Sequence, residues 1–394
     1  MVCLGSLAQT DPETKQKIRA EIATVEALLP KLADGGPGLY TLAADYSRLG
    51  DSGRALDLLK RCLLLDEGFN PNDDPAFQQL RQKSEFQSLS RRLSLRYPVV
   101  QKSHVVLKIP EKDLIPEGLA VDGATRTFYI GSLLRKKIVK ILSNGEISDF
   151  AAAGRRSWGP VCGIKVDGAD HSVWANTCSD LGDGAELLHF DARGRVIGRF
   201  AAVGIGKHLF NDLVLRGESE IYLTDSLANV VYRFDRGSGQ FTTVSLAREI
   251  YYPNGIALSN DGKRLYVADA FGILRVNLED KSSEEVQPGP SNTLAAVDGL
   301  YWYRNGLVAV QNEMGLLRVI RIELSADGVH TIRLRILEDH SALVRSPTTG
   351  AILSSNFYFI CNSQIDNMKD DKVIDERKLE PVQIAAVPIR NCRI

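Results

Sequence analysis

The stretch YYPNGIALSNDGKRLYVADA, residues 251–270, decides the fold. It reads as a strand, a tight turn and a second strand. Ile256, Leu258, Leu265, Val267 and Ala268 supply the packing positions, and Asp261-Gly262 is a turn pair that favours positive φ. Asn254 stands just before the first strand, between Pro253 and Gly255. Taken alone, it is a turn former.

The unit recurs along the chain. PEGLAVDGATRTFYIGS starts at Pro116, VCGIKVDGADHSVWANTC at Val161, FNDLVLRGESEIYLTDS at Phe210, VDGLYWYRNGLVAVQN at Val297 and TTGAILSSNFYFICNSQ at Thr348. With Pro253 as the fourth start, the period is about 45 residues. Third strands such as KIVKILSNG, ELLHFDARG, NVVYRFDRG and LLRVIRIEL follow, and fourth strands such as RVIGRFAA and TIRLRIL. Six such units predict an all-β six-bladed β-propeller over residues 98–394. The sixth unit reaches PVQIAAVPI and then runs out of chain. SHVVLKIP, residues 103–110, is the spare strand that would complete it and close the ring, removing open sheet edges.

In a propeller the innermost strands line a central channel. The residues that open these strands form one column: Glu117, Cys162, Asn211, Asn254, Asp298 and Thr348. Two carboxylates and two amides therefore converge from four repeats. Such hard oxygen donors suit calcium, magnesium or manganese. Asp-Gly, Asn-Gly and Asn-Asp are also common turn pairs, but Glu117 is not a favoured turn residue.

On these residues the β-rich part resembles the family of senescence marker protein, gluconolactonase and luciferin-regenerating enzyme. These are six-bladed propellers related to paraoxonases and strictosidine synthases. The resemblance rests on Glu117 in PEGLAVD, Asn211 in FNDLVLRG, Asn254 in PNGIALSNDGKRLYVAD and Asp298 in VDGLYWY. It implies that these four residues hold a catalytic divalent cation, usually Ca2+, with Mg2+, Mn2+ or Zn2+ as alternatives. It also implies a lactone or related ester as substrate. The cation would polarise the carbonyl, and Asp298 or Glu117 would accept the proton of the attacking water. A non-ligand such as Asp225 or Asp269 is the alternative base. A different reading is a non-catalytic propeller that binds a small molecule or partner around a structural calcium. A third, strictosidine-synthase-like reading needs a pocket glutamate, for which Glu313 is the candidate.

The chain departs from the family pattern in places. Paraoxonases have a histidine in PHG where this chain has Cys162 in VCG. Cys162 reads as a buried thiol, a nucleophile, or half of a disulfide with Cys178. Gluconolactonases place a sugar-gripping arginine where Lys207 and His208 stand, and His208 reads as a solvated loop residue. Asp212 is either a holder of a second, structural calcium, as in paraoxonases, or a turn cap. Asp225, Asp269, Asn312 and Asn362 end second strands and would stand behind the ligands or touch substrate. GIGKH, residues 204–208, lacks P-loop spacing, and no G-x-S-x-G elbow occurs.

Residues 12–97 predict a small α-helical domain. PETKQKIRAEIATVEALLPKL carries Ile18, Ile22, Val25, Leu28 and Leu29 at helical spacing. Leu39, Leu42, Ala43, Tyr46, Gly50, Ala55, Leu59 and Cys62 fall where a tetratricopeptide repeat places its packing residues, although Pro71 comes late. DPAFQQLRQKSEFQSLSRRLS predicts one further helix, with Asp74 as N-cap before Pro75. One repeat reads as a cap or spacer, with recruitment of a protein partner as the alternative.

Composition sets the bounds. A chain of 394 residues favours two domains. Its 48 basic and 49 acidic residues balance, which argues against nucleic acid as a partner. No apolar run is long enough to span a membrane. Residues 1–11 read as a ragged cytosolic start, or as the remnant of an export signal with Ser6-Leu7-Ala8 at the cut. The six cysteines contain no C-x-x-C pair.

Overall fold

A computed structural model describes residues 12–72, 74–152, 158–178, 184–369 and 371–390. The Ser6-Leu7-Ala8 reading lies outside them. Among the described residues the sheets form a six-bladed propeller. The blades open with strands Pro116–Asp122, Val161–Val166, Phe210–Arg216, Ile256–Leu258, Val297–Tyr303 and Gly350–Leu353. Each inner strand touches the next, and the last touches the first.

The opening stretch folds as its pattern requires. Ile256–Leu258 pairs with Arg264–Asp269 through a turn in which Gly262 has φ +68°. The second strands of the first and fifth blades, Thr127–Ser132 and Gly306–Gln311, are buried at every residue. They are sandwiched between neighbouring blades and so read as continuous apolar runs. The outer strand Val196–Ala201 alternates partly buried and exposed positions instead. His104–Ile109 pairs antiparallel with Val382–Pro388 and completes the sixth blade. The chain thus closes its ring by joining an early strand to a late one. Val100–Gln101 adds a fifth strand to the fifth blade, a segment too short to carry a pattern.

Four α-helices precede the propeller among the described residues: α1 (Pro12–Leu28), α2 (Gly36–Arg48), α3 (Ser52–Leu64) and α4 (Ser84–Arg96). None is long and apolar enough to cross a membrane. Ile18, Ile22, Val25 and Leu28 form the buried stripe of α1. Leu39, Ala43, Ala55, Leu59 and Cys62 are buried in one core that α2 and α3 share, Leu42 faces α1, and Gly50 turns the chain with φ +86°. The segment expected to be one further helix is two elements. Asp74 Oδ1 caps Ala76 N at 2.8 Å, but Pro75–Leu80 is a 3-10 turn and α4 starts only after an extended Lys83. The break puts Phe77, Leu80 and Phe86 into the same core.

The helices pack on the face of the propeller where the inner strands begin. Ile18, Ile22, Val25 and Leu42 enclose Phe271, with Tyr251 and Ala270 against them. Leu39, Tyr40, Phe69 and Phe77 share a core with Ala295, Ala296, Met314 and Leu316. On the far side of the same face, Met368 packs with Ile115, Cys162, Cys178 and Leu209. Met368 belongs to a long connection inside the sixth blade that carries its own small hairpin. The channel mouth is flanked from both sides.

Candidate metal centre

The column of strand-opening residues is a continuous ring. The backbone around Gly118 abuts the Cys162 carbonyl oxygen, Gly163 the Asn211 carbonyl, Gly255 the Asp298 carbonyl and Gly299 the Thr348 carbonyl. Thr224 Oγ1 donates to Asn254 O at 2.6 Å, and the Thr349 hydroxyl donates to Glu117 O. Gly255 has no positive φ. Asn254-Gly255 is therefore not a turn pair; a Cβ at 255 would collide with Asp298 backbone. The glycine permits close approach of two blades.

Four of the six ring residues sit in bulges. Register shifts lie between Pro116 and Leu119, Val161 and Ile164, Phe210 and Leu213, and Val297 and Leu300. A bulge inserts a residue and re-aims its side chain, which alternation alone would send into the blade. Backbone strain marks the same places. Ile115, Tyr252 and Ala296 adopt φ +43°, +51° and +57°. Each stands two residues before an oxygen donor: Glu117, Asn254 and Asp298. A left-handed β-branched or aromatic residue costs on the order of 1–3 kcal/mol and persists only where its surroundings enforce it.

Glu117, Asn211 and Asp298 are buried, each less than a tenth exposed. Asn211 Nδ2 donates to Ser226 Oγ at 3.1 Å, and Ser226 Oγ donates to Pro253 O at 2.6 Å. Asn312 Nδ2 donates to Asp298 Oδ2 at 2.5 Å and to Pro347 O at 2.7 Å. With the amide nitrogens so held, oxygens are left for the axis. Asn254 Oδ1 and Asp298 Oδ1 are buried and accept no hydrogen bond. Burial pushes the Asp298 carboxyl up to about 7; the charge of Glu313 adds to this, and the Asn312 and Asn254 amides oppose it. A buried carboxylate with only neutral amide donors and the Glu313 carboxylate beside it lacks a positive charge. Hard oxygens of this kind fit a divalent cation. Among the described residues no three His, Cys, Asp or Glu side chains gather at one point; the donor set depends on its two amides.

The remaining candidates divide sharply. Asp225 is fully buried and already occupied: it accepts from His208 Nδ1 at 2.7 Å, Leu209 N at 2.9 Å and Ala228 N at 3.1 Å. Asp269 likewise accepts from Arg248 at 2.6 and 3.1 Å and from Phe271 N and Gly272 N. Both anchor the loop that leads into their blade, so neither is available as a base. His208 is 12% exposed and held, not solvated. Asn362 ties Pro381 O to Gln383 N, so both ends of its amide are occupied. Cys162 and Cys178 form a disulfide, which removes the thiol and nucleophile readings. Asp212 Oδ1 accepts the Leu213 backbone N–H at 2.8 Å, in keeping with the turn-cap reading, and lies 2.7 Å from Lys165 Nζ, which supplies positive charge where a second cation would sit.

Sequence reasoning missed Ser226. The second strands of the second, third and fifth blades end at Thr177, Asp225 and Gln311. One residue further, Cys178, Ser226 and Asn312 each touch the ring residue of their own blade. A single step along a strand changes the face a side chain uses, so Thr177, Asp225 and Gln311 use the other face while Cys178, Ser226 and Asn312 point in. Aligning the repeats one position further exposes this column.

A shallow cleft open to solvent leads to the ring. Tyr251, Tyr252, Asn254, Asp298, Asn312 and Glu313 line it. Glu313 belongs to the loop that the helices cover, where Asn70 backbone abuts Gly315.

No family profile matches the chain, and no curated protein sequence matches it. Solved structures do. A gluconolactonase from Xanthomonas campestris is 16% identical, covering 74% of this chain and 97% of its own, with TM-score 0.50. A luciferin-regenerating enzyme is 15% identical over 72% and 95%, with TM-score 0.50. An aldose sugar dehydrogenase from Streptomyces coelicolor, in its PQQ-bound form, is 13% identical over 74% and 99%, with TM-score 0.50. The likeness at these identities is one of fold: the chain is a six-bladed propeller, a fold it shares with these enzymes.

Proposed function

We propose that the protein is a divalent-cation-dependent hydrolase of a lactone or related ester. Glu117, Asn211, Asn254 and Asp298 would hold the cation, Ca2+ first among the candidates. Bound there, it would supply Lewis-acid stabilisation of negative charge developing on the substrate carbonyl. The observation that carries this reading is the pair of buried oxygens, Asn254 Oδ1 and Asp298 Oδ1, left without hydrogen bonds beside an open cleft.

The protein's own groups have separable tasks. Asn312 and Ser226 fix the orientation of Asp298 and Asn211. Tyr251 and Tyr252 wall the cleft and limit water around the ester. Glu313 lines the cleft outside the ligand set, so its basicity is not spent on a cation; it would take the proton of the attacking water. The gluconolactonase and luciferin-regenerating folds are compatible with this reading without naming the substrate. The disulfide in the ring favours the second reading, a ligand-binding propeller with a structural cation, because it leaves no titrating group at that position.

The experiment is hydrolysis of a panel of γ- and δ-lactones with calcium, manganese or a chelator present. Activity that a chelator abolishes and that Glu313→Gln lowers by about 100-fold or more, with cation affinity retained, supports the hydrolase. Cation binding without hydrolysis of any ester supports the second reading.

A further inference from the structure

A second polar site lies at the opposite end of the fifth blade. Its cleft, of about 90 Å³, is lined by Tyr303, Arg304, Arg321, Glu323, Arg335 and Arg390 among others. Four guanidinium groups thus face a single carboxylate. Arg321 and Arg335 are direct partners across neighbouring strands, as are Glu323 and Arg333. Like charges placed opposite each other on a sheet face are destabilising. Arg321 is also buried, and its forked end donates to Leu307 O at 3.0 Å and Tyr303 O at 2.9 Å. Those carbonyls satisfy donors and bring no net charge.

The positive charge is not balanced locally. Arg335 Nε is buried, has no hydrogen-bond partner and stands 3.7 Å from Glu323. Arg304 and Arg321 both lie over the Tyr303 ring, at 5.3 and 5.4 Å. Burial pulls Arg321 down to about 10, and the charges of Arg335 and Arg304 pull the same way against Glu323. Concave, low-dielectric walls with excess charge of one sign concentrate the counter-ion, and planar guanidinium forks match tetrahedral oxyanions.

We propose that this cleft binds a phosphate-type oxyanion, either inorganic phosphate or the phosphate group of a small molecule. Arg321 supplies anchored charge, and Arg335, Arg304 and Arg390 supply free donors. Glu323 opposes binding and keeps the empty cleft folded. The site is independent of the cation ring: Tyr303-Arg304 lies at the end of the strand that Asp298 opens.

The test is titration of the full chain with sodium phosphate in the presence of a chelator. Sodium chloride and sodium acetate of equal ionic strength serve as references, read by calorimetry and thermal melting. Phosphate should bind at one site and raise Tm, while acetate should act like chloride. Arg335→Gln, and the more exposed Arg390→Gln, should each weaken binding about tenfold, and Glu323→Gln should tighten it. Phosphate acting no differently from chloride or acetate overturns the proposal. So does wild-type affinity in both arginine variants.

Discussion

Lys165 Nζ and Asp212 Oδ1 are 2.7 Å apart inside the channel, and the ammonium also lies 5.7 Å from the Tyr301 ring centre. Asp212 Oδ2 accepts no hydrogen bond. The fold carries its own cation beneath the ring. Lys165→Met leaves a buried carboxylate uncompensated, which costs about 3–5 kcal/mol. Urea unfolding should register that loss. Millimolar calcium should recover more stability in the variant than in wild type, because Asp212 then takes up a second ion. Equal recovery in both would show that Lys165 is not standing in for one.

The helical front should influence the ring. Phe271 is enclosed by Ile18, Ile22, Val25 and Leu42, and Tyr251, three residues before Asn254, packs in the same cluster. Phe271→Ala empties that site at about 3–5 kcal/mol. Limited proteolysis should then cut first within residues 12–96 while the propeller persists. Cation affinity should drop as the Asn254 loop loosens; unchanged affinity would separate the helices from the site.

Docking of the helices should weaken as pH rises toward 8. Burial pushes Glu67 up to about 8, the charge of Asp34 adds to this, and Arg318 opposes it. Its folded value lies above its unfolded one. Its contribution is therefore fully present below about pH 4.3 and is lost as pH rises through 8. Thermal melts between pH 5 and 9 should show Tm falling in wild type and falling less in Glu67→Gln. Parallel curves would contradict the assignment.

Reduction of Cys162–Cys178 should cost stability but not cation binding. The bridge closes a loop of 16 residues, worth about 3 kcal/mol. Sulfur contributes no hard oxygen donor, so the Cys162→Ser/Cys178→Ser variant should keep cation affinity within a few-fold. A large loss in calorimetry would mean that the bridge shapes the ring.

The six-fold register was legible because each repeat carries strand and turn signals of its own, and His104–Ile109 could be assigned to the sixth blade by counting strands. The ring followed from the same register. What one sequence could not show is direction. Asn254-Gly255 looks like a turn pair, yet Gly255 serves the contact with Asp298 backbone. The bulges at Glu117, Asn211 and Asp298 break the alternation on which side-chain placement was read. Asp225 and Asp269 are drawn toward the site by position, but His208 and Arg248 occupy their carboxylates, and only Asp269 also lines the cleft. Ser226 carries no signal beyond its place one step past a strand.

The central claim is that the ring oxygens hold a divalent cation. Calorimetric titration of calcium and manganese into the full chain, beside Asn254→Ala and Asp298→Asn, tests it most directly. The account predicts one binding site in the wild-type protein and a loss of at least about tenfold in each variant, with circular dichroism unchanged. A wild-type protein that binds neither ion, or variants that bind as tightly as wild type, would contradict it.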